Sequence, residues 1–153
     1  MRLMFIVSGN TISRKIINLP IENYKIHVTY SAKPSKDAIC TKKLPVLPHT
    51  SLFDIMKKAQ EGNDAFRFTY KMYGPQAFIT SIGGVVQDPN KHLYWFLYNC
   101  TQNLGAAQCD DMKSCTLSDT GLSKTYPKDG GIWLFCYEKN PYRNKIIVNI
   151  DNK

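Results

Sequence analysis

Apolar and polar residues alternate along several short segments of this chain, which is the pattern of half-buried β-strands. Residues 24–30 alternate in this way and are rich in β-branched and aromatic side chains. Residues 66–72 alternate strictly, and residues 77–82 predict a further strand after a Gly-Pro turn. The predicted apolar face of the second segment consists of Phe66, Phe68, Tyr70 and Met72.

Other segments are apolar on both faces of a strand. Residues 93–98 and 132–137 consist almost entirely of apolar and aromatic residues, which is typical of strands inside a sheet. Residues 145–150 can add an edge strand. The apolar run in residues 1–7 is shorter than the hydrophobic region of a secretory signal. We interpret it as a first strand or a truncated start, not as an intact signal peptide.

One amphipathic helix is predicted in the middle of the chain. Four apolar residues recur at positions i, i+3, i+4 and i+7, which places them on one helical face. Thr50 or Ser51 is the predicted N-cap, and Gly62 is the predicted stop signal. The preceding residues 33–48 contain three prolines and are predicted to form a loop. The predicted buried face consists of Leu52, Ile55, Met56 and Ala59.

The order of these elements is a strand, a helix and then four strands. This order argues for an α+β domain with a mostly antiparallel sheet and one main helix. The length of 153 residues fits a single domain that spans residues 1–153. No apolar stretch approaches the roughly 18 residues needed to span a membrane, so no membrane span is expected.

The chain is basic, with 20 lysines and arginines against 12 acidic residues and a formal net charge of +8. This sign favours anionic partners such as phosphates, acidic glycans or nucleic acids. The basic residues are scattered, and adjacent lysines occur only at Lys42-Lys43 and Lys57-Lys58. There is no zinc-finger spacing or RNA-recognition signature. A solvated basic surface is therefore the favoured interpretation, and no nucleic-acid partner is predicted.

The cysteines indicate disulfide bonds. Three of the five lie in the polar, loop-like segment 99–115, and clustered cysteines of this kind are typical of an oxidising compartment. A zinc site built from these cysteines and His92 is the alternative, although no Cys-x-x-Cys pair supports it. Because five is odd, one thiol is expected to be free or paired with another chain. The cysteines are Cys40, Cys100, Cys109, Cys115 and Cys136.

The same segment carries a glycosylation signal. Asn99-Cys-Thr is an acceptor sequence for N-glycosylation, which only a secreted chain uses. Together with the cysteines it predicts a secreted, extracellular protein.

The sequence contains none of the common catalytic motifs. It has no Gly-x-Ser-x-Gly elbow, no His-Glu-x-x-His and no P-loop. His27, His49 and His92 have no spacing that favours a Cys-His pair or a metal site. We therefore predict no enzymatic activity, no catalytic residues and no bound metal.

A glycine pair and an aromatic strand together indicate a binding surface. Gly83 and Gly84 allow the backbone to approach a ligand closely, because no Cβ intervenes. Residues 93–98 can supply a flat apolar wall with a few polar tips. These features favour a large, flat, partly apolar ligand. Core packing of the strand and a plain hairpin bend at the glycines are the alternative interpretation.

An ordered series of short motifs resembles one known family. The motifs are SLFDIM at residues 51–56, FRF at 66–68, GPQAFITSIGG at 74–84, YW at 94–95 and YPKDG at 126–130. In this order they closely resemble the small, β-rich C-terminal domain of the cobalamin carriers, namely transcobalamin, intrinsic factor and haptocorrin.

The resemblance covers about residues 24–137. We interpret this chain as the small domain standing alone. A cysteine-rich stretch at about residues 99–118 looks like an insertion beside the implied site. In the family, this domain is a mostly antiparallel sheet with one main helix, and it caps a corrinoid from one side. A large helical domain holds the other side of the ligand.

The resemblance implies binding and transport of cobalamin, a related corrinoid or another large flat ligand. Gly83 would give backbone approach, and Trp95 or Phe96 would give apolar contact. Phe96 stands where the family commonly has glutamine. The ligand-binding residues implied by the resemblance are Thr80, Ser81, Ile82, Gly83, Gly84, Tyr94, Trp95 and Phe96.

Three functional hypotheses follow. The first is a secreted ligand-binding module that acts alone or with a second protein chain supplying the other half of the site. The second is a secreted protein-interaction or structural module that has lost ligand binding. The third is a basic protein that binds anions and would be retained on heparin or DNA in a salt-dependent way.

Overall fold

The chain folds mainly into β-strands. The computed structural model describes residues 3–6, 14–17, 24–102 and 112–140. The one α-helix of the described residues is α1, Leu52–Ala59. The strands are β1 Leu3–Ile6, β2 Arg14–Ile17, β3 Ile26–Ser35, β4 Ala38–Val46, β5 Phe68–Tyr73, β6 Gln76–Ile82, β7 Val85–Val86, β8 Leu93–Cys100, β9 Cys115–Leu117 and β10 Ile132–Lys139.

The strands form one large sheet, one small sheet and a hairpin. The large sheet has the order β4-β3-β10-β8-β9, the small sheet has the order β5-β6-β7, and β1 pairs with β2. The neighbours β3 and β10 run parallel, and every other pairing is antiparallel. The predicted mostly antiparallel sheet is confirmed. The described part is more strongly β-rich than the α+β label conveys, because its single α-helix has only 8 residues.

The predicted loop at residues 33–48 is wrong, because most of it forms β4. This strand lies at the edge of the large sheet, where a proline leaves no interior hydrogen bond unmade. Pro45 pairs with His27 at that edge, and Pro34 lies in the irregular step of the β3–β4 register between Ala32 and Ser35. The prolines therefore occupy the positions of a strand that tolerate them.

The predicted helix is confirmed. Ser51 is the N-cap, and its Oγ accepts a hydrogen bond from the backbone N–H of Asp54 at 3.2 Å. The helix ends at Ala59, and Gly62 follows with a positive φ of 68°. All four residues of the predicted apolar face are buried, so the helix packs on the sheet as its sequence pattern requires.

The strand predicted at residues 66–72 starts later than expected. Phe66 lies in a short 3₁₀ turn and Phe68 begins β5; both are buried. A register shift after Thr69 disrupts the alternation, and Tyr70 and Met72 are exposed. The rings of Phe68 and Tyr70 both contact Phe53 of α1, but only Phe66 and Phe68 are buried, so the predicted four-residue apolar face is half buried.

The large sheet is apolar on both faces. Its inner face packs on α1 and the small sheet, and includes Val28, Tyr30, Leu97 and Phe135. A second buried cluster lies on the outer face. The Cys100–Cys115 disulfide joins β8 to β9 at the margin of the outer cluster. The outer cluster consists of Tyr98, Cys100, Leu134 and Cys136.

Other sequence predictions fall outside the described residues. These are the edge strand at residues 145–150 and the part of the cysteine-rich insertion at residues 103–111. Within the described residues, no helix has the length and apolarity needed to cross a membrane.

Tyr30 has a buried hydroxyl without a hydrogen-bond partner, and its replacement by phenylalanine should stabilise the protein. The side chain is 0% exposed, and its hydroxyl has no hydrogen-bond partner in the described structure. An unsatisfied buried hydroxyl costs about 1 kcal/mol or more, so Tyr30→Phe should raise the free energy of unfolding by about that amount.

The same substitution should change the alkaline stability. Burial, and secondarily the nearby Cys40, raise the pKa of Tyr30 above its ordinary value. Since tyrosine in the unfolded chain ionises at about pH 10, wild-type stability should fall as the pH rises above that value. Urea unfolding at pH 7 and pH 11 would measure both effects. Tyr98→Phe is the matched control, since the Tyr98 hydroxyl donates to Glu138 and its loss should destabilise. A destabilised Tyr30→Phe variant would refute the prediction.

Candidate ligand-binding groove

Two strand edges are left open where the small sheet meets the large one. On its outer side, β8 pairs with β9 only through residues 98–100, and Leu93 and Leu97 form backbone hydrogen bonds to Asp88 and Ser118. Residues 94–96 therefore have no backbone partner there in the described structure. In the same way, β6 pairs with β7 only through Ser81 and Ile82. The open parts of β6 and β8 contribute to one surface depression, which we call the β6–β8 groove.

The groove is large enough for a small-molecule ligand. Its volume is about 690 Å³, which lies within the usual range for ligand pockets. An adjoining depression of about 240 Å³ shares Phe78, Ile79, Trp95 and Phe96 with it and extends towards residues 117–122. The groove is lined by Lys71, Tyr73, Phe78, Ile79, Thr80, Gln87, Tyr94, Trp95, Phe96 and Asn140.

Two exposed aromatic rings form part of the groove. Tyr73 and Phe78 are 62% and 55% exposed, and their ring centroids lie 5.2 Å apart in an edge-to-face arrangement. Phe78 is exposed because side chains alternate along β6, so that its neighbours Ala77 and Ile79 point into the core. Large apolar groups that remain in contact with water in a concave surface are typical of binding sites.

Trp95 is held rigidly at the floor of the groove. Its indole N–H donates to the backbone carbonyl of Val85 at 2.9 Å, and its ring packs at 5.3 Å from the ring of Tyr137. The Tyr137 hydroxyl donates to the carbonyl of Val86 at 3.1 Å. Because Val85 and Val86 form β7, these two bonds fasten the small sheet to the large one and fix the shape of the groove.

The glycine pair serves the fold directly. Gly83 and Gly84 have φ values of 57° and 82°, as a tight hairpin turn requires. The Gly83 N–H donates to the carbonyl of Arg67 at 2.8 Å. A Cβ at Gly83 would lie 2.9 Å from the backbone oxygen of Ala65, whereas a Cβ at Gly84 would meet nothing within 4 Å. Close packing against Ala65 therefore explains Gly83 without a ligand.

The structure divides the eight predicted site residues into two groups. Thr80, Tyr94, Trp95 and Phe96 line the groove. Ser81, Ile82, Gly83 and Gly84 do not line it. Ile82 is only 1% exposed and belongs to the core, and Ser81 is buried with its hydroxyl bonded to Thr69.

Sequence reasoning missed several residues of the groove. The outward alternation along β6 could have identified Phe78, but Lys71, Tyr73 and Gln87 reach the groove only through the pairing of β5, β6 and β7. Lys71 is the one charged side chain among the described lining residues. The groove therefore offers an aromatic surface with amide groups and a single positive charge at its rim.

The chain resembles known proteins in fold. It aligns with haptocorrin, solved in complex with Cbi (cobinamide), at a TM-score of 0.60 and 24% sequence identity over 80% of this chain and 27% of haptocorrin. It also aligns with a "putative metal binding protein" from Ruminococcus gnavus ATCC 29149, at a TM-score of 0.53 and 14% identity over 75% of this chain and 98% of that protein. These likenesses show a fold shared with haptocorrin and with the Ruminococcus protein.

A family model covers the segment that builds the groove. Residues 49–99 match a domain of unknown function, DUF4430. No curated protein sequence matches the chain. The family match extends from just before α1 to near the end of β8, and so includes both open strand edges. The chain spans about a quarter of the length of haptocorrin, 27%.

The described residues do not assemble a metal site. Among them, no group of three or more histidine, cysteine, aspartate or glutamate side chains is placed to hold a metal ion.

Proposed function

We propose that this protein is a ligand-binding module whose β6–β8 groove receives one face of a corrinoid or of another large, flat, partly apolar ligand. The exposed Tyr73–Phe78 pair beside the fixed ring of Trp95 is the observation that carries this proposal. Aromatic rings bind flat apolar surfaces well.

The polar groups of the groove support a corrinoid in particular. A corrin ring is flat and carries amide groups around its edge. Gln87 and Asn140 line the groove with amides, and Thr80 and Tyr94 line it with hydroxyls. Such groups can donate to and accept from ligand amides while the aromatic rings contact the macrocycle.

The groove is open on one side, which limits what it achieves alone. A ligand bound there would keep its other face in water, and affinity depends on how much of the ligand is enclosed. A second protein chain or domain that covers the exposed face would therefore tighten binding. We propose the present domain as the cap half of such a site.

Titration with cobinamide tests the proposal. The absorbance of the ligand should change on binding and saturate at one ligand per chain, with micromolar affinity, and cobalamin should compete for the same site. An absence of saturable binding at high micromolar cobinamide would contradict corrinoid binding by this domain.

We also propose that the protein is extracellular. The Cys100–Cys115 disulfide is typical of oxidising compartments, and the glycosylation acceptor Asn99 lies on the surface. Peptide mass analysis of the protein isolated from its source would detect the disulfide and a glycan on Asn99. Finding Cys100 and Cys115 fully reduced would contradict the proposed location.

A protein-interaction module is the second candidate, and the open strand edges favour it. Unpaired edges bind extended peptides by adding a strand, and the edges of β6 and β8 flank apolar side chains. Sedimentation with and without reductant distinguishes the candidates, because a disulfide-linked or concentration-dependent dimer that binds no cobinamide would favour interaction.

A further inference from the structure

A second cavity lies where the central strands of the large sheet end. Because β3 and β10 are parallel, their carboxyl ends lie side by side at one end of the sheet, next to the start of the antiparallel strand β8. The cavity there has a volume of about 490 Å³. It is lined by Lys33, Ser35, Lys36, Leu93, Cys136, Tyr137, Glu138 and Lys139, none of which lines the β6–β8 groove.

The unusual feature of this cavity is a buried lysine. Lys33 is 4% exposed and pairs in register with Cys136 on β10. Its ammonium group has no hydrogen bond or ion pair within 4.0 Å in the described part of the chain. The Nζ atom keeps contact with solvent at the cavity, so an anion there can accept the hydrogen bonds that no described protein group accepts.

Glu138, the one acidic residue among those that line the cavity, forms no ion pair with Lys33. Glu138 accepts a hydrogen bond from the Tyr98 hydroxyl and lies beyond ion-pair distance of Lys33. Burial raises the pKa of Glu138, while the Tyr98 bond and the Lys33 charge lower it in part. Lys36 and Lys139 add two exposed positive charges at the same cavity, so its net charge is positive.

We propose that this cavity binds a small oxyanion of the phosphate class, with the Lys33 ammonium as its main partner. The Ser35 hydroxyl can donate a further hydrogen bond, and Lys36 and Lys139 attract the anion from the solvent. The cluster differs from the scattered basic surface because three lysines line one cavity and the side chain of Lys33 is almost entirely buried. The site is independent of the groove and of what the groove binds.

Calorimetric titration with inorganic phosphate tests the proposal, with two lysine variants compared. Lys33→Met keeps most of the apolar stem and removes the charge, and should weaken phosphate binding by about 10-fold or more. Lys43→Met is the matched control, because Lys43 is an exposed lysine of β4 outside the cavity. It should change the affinity by less than about 2-fold. Equal weakening in both variants, or no saturable binding by the wild type, would overturn the proposal.

Thermal unfolding keeps the test decisive if Lys33→Met folds poorly. Phosphate should raise the Tm of the wild type above its value in chloride at equal ionic strength, because a ligand that binds only the folded state stabilises it. Glu138→Gln removes the negative charge from the cavity and should enlarge that rise. No rise in the wild type, or a smaller rise in Glu138→Gln, would contradict the proposed site.

The same titration distinguishes two sources of the anion. Glycerol phosphate reports on phosphate esters, and inorganic phosphate reports on the free ion. Tighter binding of the ester would identify a phosphorylated organic molecule as the occupant, and tighter binding of the free ion would identify phosphate itself.

Discussion

Replacing Tyr73 and Phe78 together by alanine is expected to weaken cobinamide binding by about 100-fold. Both rings are largely exposed in the free protein, so they contribute little to folding and would be buried mainly by a ligand. Burial of one such side chain yields about 1.5–3 kcal/mol, and each 1.4 kcal/mol corresponds to about a tenfold change in affinity. Because each ring is already partly buried in the free protein, the two together account for about two orders of magnitude.

Tyr126→Ala provides the control for this double variant. Tyr126 is 57% exposed but does not line the groove, so its loss removes a comparable aromatic surface elsewhere. Its effect on the dissociation constant should be within about 2-fold, as for other residues outside a binding site. Absorbance titration measures all three proteins. A double variant that binds cobinamide as tightly as the wild type would show that Tyr73 and Phe78 do not contribute to the binding site.

Gly83→Ala is expected to lower the free energy of unfolding by about 3 kcal/mol, through a left-handed backbone conformation and a steric clash together. The φ of 57° disfavours any residue with a Cβ. The added Cβ would also lie 2.9 Å from the Ala65 backbone oxygen, and a backbone atom cannot rotate away as a side chain can. The hairpin and the segment that precedes β5 would have to separate.

Comparison with Gly84→Ala separates the cost of the steric clash from the cost of the left-handed backbone conformation. Gly84 also has a positive φ, 82°, but a Cβ there meets nothing within 4 Å. This variant should lose only about 1–2 kcal/mol. Urea unfolding without ligand gives both values. Equal losses in the two variants would show that contact with Ala65 contributes nothing, and would return Gly83 to the role of a ligand-approach position.

The sequence pattern was sufficient for the elements whose environment is uniform along their length. The helix α1 follows from its apolar spacing and the Ser51 cap, and its face is buried as predicted. The apolar segments at 93–98 and 132–137 lie within β8 and β10, both interior strands of the large sheet. In the helix the period of the side chains determines the buried face, and in the two strands the lack of polar positions indicates burial on both faces.

The pattern failed where the position in the sheet decides the outcome. The prolines of residues 33–48 indicated a loop, but Pro45 lies in the edge strand β4 and Pro34 lies at the register shift between β3 and β4. Tyr70 followed the alternation of Phe66 and Phe68, yet a register shift in β5 leaves it exposed. Neither the edge position nor the register shift is visible in a single sequence, because both depend on which strand lies alongside.

The candidate site was predicted in part, for a related reason. The aromatic segment of β8 reaches the groove, as expected from its composition and from the resemblance to cobalamin carriers. The glycine turn does not line the groove, because Gly83 packs against the backbone of Ala65. The pairing of Cys100 with Cys115 and the burial of Lys33 likewise arise from strands that are distant in sequence.

Backbone amide NMR during a cobinamide titration locates the bound ligand on the protein. Binding in the β6–β8 groove should cause saturable shifts concentrated at residues 78–80 and 94–96, with little change at residues 33–36, which belong to the separate cavity. Shifts confined to other surfaces, or no shifts at saturating cobinamide, would contradict it.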